Sequence, residues 1–231
     1  MVCGSQLEYL NHAVELQCSS CGRLETGHIR CPNNHYVCDI CHNQQAIKTI
    51  KEICLSAKSK NPFEIAEQIM ALSQFPMLGC HHAFVAAGAL MTAIRNEGTI
   101  RVADEQIEEA FNRTERQAIG GYCGLTGVCG IVPAIGACFS ILLGSKCGTD
   151  KEQRLTMEVV SKIVHAITEL TGPSCCKAYV RTALENAVHF LKDNFKICLM
   201  LPSTPIQCNS INQHPHGCRG MKCPYFSEPN I

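Results

Sequence analysis

The chain carries no net charge: Lys and Arg number 20, as do Asp and Glu, across 231 residues. That balance excludes attraction to nucleic acid or to an anionic membrane surface through bulk charge. Nor is there a run of the ~20 apolar residues that a bilayer-spanning helix needs. The longest uncharged stretches, 80–94 and 117–145, are broken by Gly, His or Pro. Residues 1–17 lack Lys, Arg and an apolar run, so no secretory leader is predicted. The sequence has no G-x4-GK[ST] loop, no repeat that would make a solenoid, no low-complexity linker and no basic recognition helix.

What the chain has in excess is cysteine, 18 residues, together with 46% hydrophobic residues, enough for a real core. The expected setting is the cytoplasm, where thiols stay reduced. Cysteine at this density there points to metal binding, redox work or catalysis.

Composition divides the chain into three. Residues 1–43 hold six cysteines and four histidines with little helical periodicity. Residues 44–195 read as helices almost throughout, and 196–231 form an irregular tail with four further cysteines. The predicted fold is mainly α: a helical bundle with a small N-terminal zinc-binding module and an irregular Cys-rich C-terminal tail. Ile47, Ile50 and Cys54 share one helical stripe, and Asn61, Pro62 and Glu64 make a helix start with a capping-box pattern. Segments 103–118, 151–170 and 175–192 are amphipathic. Segments 82–94 and 130–143 carry no charged side chain and so belong at the centre of the bundle.

The N-terminal module contains two C-x2-C knuckles, Cys18–Cys21 and Cys38–Cys41, sixteen residues apart. Four thiolates at this spacing predict one tetrahedral zinc with a structural role, because no coordination position stays open. In the tail, Cys208, Cys218 and Cys223, with His214 and His216 interleaved, are candidates for a second zinc or for part of a cluster.

Three predicted helices present thiols at their starts. Cys80, His81 and His82 open the first uncharged helix, Cys129 precedes the second with Cys123 six residues upstream, and Cys175 and Cys176 open the last. Unpaired amides and the helix dipole favour negative charge there, so these thiols are expected to have lowered pKa values. Flanking glycines allow backbone to approach a ligand. Cys80, His81, His82, Cys123, Cys129, Cys175 and Cys176 are therefore the expected cofactor-binding set, with Cys129, Cys175 and Cys176 as catalytic thiols. A pocket of this kind suits an iron–sulfur cluster, a soft metal or a redox pair. Cys54, Cys138, Cys147 and Cys198 read as core or incidental thiols, and His165 and His189 as packing residues.

These motifs carry resemblances. The order C-x2-C-x9-C-x3-H-x2-C-x2-C over 18–41 resembles the first six ligands of a RING finger, notably of the seven-in-absentia type. That resemblance implies one ion on Cys18, Cys21, Cys38 and Cys41, and assigns Cys31 and His35 to a second ion whose closing C-x2-C is missing. The whole chain resembles an uncharacterised prokaryotic family of cysteine-rich proteins with HH, GG-x-CG-x4-CG and GP-x-CCK motifs. The CG segment is also similar to the redox-active C-GCAxxG-C-C proteins, and GVCGIVPA at 127–134 resembles a short piece of the iron–sulfur-dependent L-serine dehydratases.

Together these imply thiol or cluster chemistry. The expected function is a redox or sulfur-handling enzyme acting with a small molecule or a sulfur or electron donor, without nucleic acid or membrane. The alternatives are a zinc-dependent adaptor or metal carrier without catalysis, and an iron–sulfur-dependent lyase.

Overall fold

The computed structural model describes residues 3, 5–73, 75–170 and 172–227, with all side chains among them except those of residues 43 and 45. Its first element is one that helical periodicity could not announce. Strands β1 (Glu8–Gln17) and β2 (Leu24–Arg30) form an antiparallel hairpin, with Val14 opposite Gly27 and Gln17 opposite Leu24. The register shifts between Tyr9 and Val14, and among the strand residues only Leu16 is fully buried. A two-stranded ribbon with so thin an apolar face leaves little alternation to read.

Helix α1 (Asp39–Ser56) starts inside the second knuckle: Cys38 is its N-cap, and the Cys41 amide donates to the Cys38 sulfur at 3.5 Å. In α2 (Pro62–Met70) the Asn61 side chain accepts from the Phe63 amide at 2.9 Å. Glu64 there bonds the side chains of Asn61 and Ser59, so the cap closes through side chains instead of the usual reciprocal pair.

The chain continues through α3 (His81–Glu97), α4 (Asp104–Glu115), the short α5 (Tyr122–Thr126), α6 (Ile131–Leu143), α7 (Lys151–Thr168) and α8 (Cys176–Phe195). Helix α3 is buried at every position from His81 to Ile94 and packs against α1, α2, α4, α6 and α8. Helix α6 is buried over most of its length, between α3, α4, α7 and α8. Both lack charge over the buried span, so the middle of the bundle is the place that removes most apolar surface from water. The charged helices wrap around them; α4 turns in only Ile107, Ala110, Phe111 and Thr114. No described helix is long and apolar enough to cross a membrane.

Close packing at α3 yields a first prediction. A Cβ at Gly88 would stand 2.6 Å from Cys54 Sγ and 2.8 Å from Phe111 Cζ. Gly→Ala inside a helix ordinarily gains about 1 kcal/mol, whereas overpacking a tight core costs about 1–3 kcal/mol. Gly88→Ala is therefore expected to lower stability by about 1 kcal/mol in denaturant titration. A raised midpoint would show that α1 and α4 yield to the methyl group.

Candidate functional site

The two knuckles converge. Cys18 immediately follows β1, Cys21 lies in the turn to β2, and Cys38 and Cys41 open α1. The four sulfurs all lie within 4.8 Å of one another, a group able to hold a metal ion. Cys18 and Cys38 are fully buried, and Cys21 Sγ stands 3.7 Å from Cys38 Sγ. Cys18 accepts the amides of Cys38 at 3.3 Å and Ser20 at 3.4 Å. Those bonds, the Cys38 amide foremost, draw the Cys18 thiol down to about 6. Burial pushes Cys38 up, and the Cys38 thiol beside it carries Cys41 up to about 12. Four crowded sulfurs thus share little negative charge unless a cation joins them, and a dication is what lets all four ionise.

A second group lies in the same module: Cys3, Cys31 and His35 also hold their ligand atoms within 4.8 Å. Cys3 Sγ is 3.2 Å from Cys31 Sγ, which is 3.6 Å from His35 Nδ1 and accepts the Asn33 amide at 3.2 Å. Hydrogen bonding with Ser5 holds the Cys3 thiol down to about 5. Sequence reasoning passed over Cys3, although it is the one cysteine of residues 1–43 outside the ligand order. Only the fold brings it across to the Cys31 turn.

The helix-start thiols are where the sequence puts them. Cys80 is the N-cap of α3, Cys175 the N-cap of α8, Cys176 its first residue, and Cys129 immediately precedes the α6 N-cap, Gly130. The Gly79 amide donates to Cys176 Sγ at 3.5 Å, tying the start of α3 to that of α8. The charges of Asp39, Cys176, Cys123 and Cys129 act on Cys80, and those of Cys129, Cys123 and Cys175 on Cys176.

The expected lowering of these pKa values is overturned. Burial pushes Cys80 and Cys175 up, Cys129 up to about 11 and Cys176 up to about 12. Desolvation of a thiolate outweighs the partial charges at a helix start. The charges of Arg219, Cys208 and Cys223 act on the Cys175 thiol, and those of Cys129, Cys123 and Cys175 on Cys176.

His81 and His82 are wholly buried in the first turn of α3, each with Phe75 edge-on to its ring. Burial holds His81 down to about 4 and His82 well below the usual imidazole range, so both rings are neutral. His82 Nδ1 lies 3.0 Å from the Gly79 carbonyl, which can only accept, so Nδ1 carries the proton. Its Nε2 is a buried lone pair without a hydrogen-bond partner. A metal-ligating histidine is oriented in this way.

The tail is not free-standing. Cys208 and Cys223 approach Cys175, while Cys218 is exposed and its sulfur accepts the Gly220 amide at 3.4 Å. Among the described residues the ligand atoms of these three do not all lie within 4.8 Å of one another. The tail instead lies over α8, through Lys177 Nζ to Ser210 Oγ at 2.8 Å and Arg219 Nε to the Pro173 carbonyl at 2.8 Å. The N-terminal module reaches the glycine loop as well: Gly120 donates its amide to Asp39 at 2.7 Å, and any Cβ at Gly120 would strike that carboxylate.

The model of a family of unknown function, DUF5714, matches residues 50–226. No curated protein and no solved structure matches the chain.

Proposed function

The chain belongs to the DUF5714 family of unknown function, and we propose that it is a redox or sulfur-handling metalloprotein. In this reading Cys18, Cys21, Cys38 and Cys41 hold a structural zinc. A second centre, an iron–sulfur cluster, sits at the meeting starts of α3, α6 and α8. The single observation that carries the reading is the Gly79 amide bonded to the Cys176 sulfur at 3.5 Å, which brings the thiol that opens α8 to the start of α3, where Cys80 is the N-cap.

The donor chemistry supports both assignments. Four thiolates in one tight group suit zinc and leave it no open position. Cys80, Cys129 and Cys176 stand at or beside the starts of α3, α6 and α8, three helices that pack on one another, and thiolates are what a multi-iron core takes as ligands. When bound, such a cluster supplies one-electron or sulfur chemistry. The chain contributes the Gly79 amide to the Cys176 sulfur and the exposed Cys123 on α5 as the solvent side of the centre.

Anaerobic purification followed by zinc, iron and acid-labile sulfide analysis tests the reading. Zinc together with iron and sulfide is expected. Cys176→Ser should lose most of the iron and sulfide and keep the zinc, while Cys198→Ser, at an exposed thiol, should change neither. Zinc alone in the wild-type chain would place the adaptor or carrier role ahead.

A further inference from the structure

Three cations crowd the first turns of α8, and two of them are satisfied. Lys177 Nζ donates to the Met70 carbonyl at 2.9 Å and to Ser210 Oγ at 2.8 Å. Arg181 meets both oxygens of Glu67, at 2.6 and 2.7 Å. Arg219 differs. Its residue is only 8% exposed, its Nε is used by Pro173, and both terminal nitrogens are buried with no hydrogen-bond partner. Among the described residues it has no salt bridge to a carboxylate. A buried guanidinium whose two terminal nitrogens both lack acceptors is rare enough to need a ligand to explain it.

The surroundings say what kind. The guanidinium lies over the Tyr179 ring, 5.2 Å from its centroid, and its charge reaches the Cys175 thiol. Pro173, Cys175 and Tyr179 bracket the beginning of α8, a helix of 20 residues, so the unused fork lies at the end where backbone amides have no helical acceptor. Gly172, at φ +96°, makes room: a Cβ there would stand 3.0 Å from Arg219 Cγ. Two coplanar N–H donors beside a helix N-terminus are the complement of an oxyanion with two oxygens in one plane.

We infer that Arg219 and the first turn of α8 form a binding site for the carboxylate or phosphate group of a small molecule, held beside Cys175. The site is independent of the cluster proposed above, whose α8 ligand, Cys176, points elsewhere on the helix.

The test is calorimetric titration of the full chain, in chloride buffer, with acetate, inorganic phosphate and sulfate. Saturable binding of at least one anion is expected, and the preference for acetate or for the tetrahedral anions tells which group the site takes. Arg219→Gln should weaken that binding at least tenfold. Arg219→Lys should weaken it too, because it keeps the charge and loses the fork.

A readout without substitution guards against misfolded variants. In the wild-type chain the bound anion should slow amide exchange in the first turn of α8, residues 176–178, and leave exchange in α4 unchanged. No saturable heat with any of the three anions overturns the proposal, as does unchanged affinity in a folded Arg219→Gln chain or exchange at the start of α8 indifferent to the anion. Loss of a metal equivalent in Cys208→Ser would also overturn it, by giving Arg219 metal-bound thiolates as its partners.

Discussion

Cys38→Ser should remove one metal equivalent per chain and disorder the N-terminal module, the largest effect expected of any single substitution. Cys38 is wholly buried and holds three roles at once. Its sulfur belongs to the four-thiol group, its amide bonds the Cys18 sulfur, and it caps α1 through the Cys41 amide. Structural zinc in small thiolate modules contributes about 10–16 kcal/mol of apparent binding free energy that is coupled to folding. The bundle has its own core, so the loss should fall on the hairpin and the first turn of α1. Amide exchange in β1, β2 and the start of α1 should accelerate steeply, while α3 and α6 stay protected. A chelator should do the same to the wild-type chain and add little to Cys38→Ser. Unchanged metal content in the variant would sink the four-thiol site.

Arg181→Ala should be the most damaging change inside the bundle. Its side chain is 4% exposed, and its pairing with Glu67 joins α8 to α2. Removing one member of a buried pair costs about 3–5 kcal/mol; Glu67, a third exposed, keeps some hydration and puts the loss near about 3 kcal/mol. The guanidinium also stacks over Tyr225, 5.2 Å from its ring, so the tail should loosen with it. Glu67→Gln with Arg181→Met should recover part of the stability, because no charge is then stranded. A denaturant midpoint that places Arg181→Ala within about 1 kcal/mol of wild type would mean that the pair is only a surface contact.

Some of this architecture follows from local pattern alone. An uncharged run such as 82–94 cannot face water all round, and its place at the centre is legible from composition. The Asn61–Pro62 start of α2 and the knuckles at Cys18 and Cys38 depend on neighbours a few residues away, which is why spacing reveals them. The hairpin was hidden because its strands bury almost nothing, and Cys3 because its partner Cys31 lies 28 residues off.

Tertiary structure alone decided the rest. Helix-start position says that a thiol is near positive partial charge, but how far water is excluded depends on every element packed around it; burial wins at Cys80, Cys129 and Cys176. The different charges acting on Cys175 and Cys176 follow from which neighbours each meets, the tail for one and the start of α3 for the other. Arg219 has no sequence signal at all. Its charge becomes remarkable only once the tail folds over α8 and leaves the guanidinium buried with two N–H groups unanswered, because the cost of an unmatched polar group exists only where water is gone.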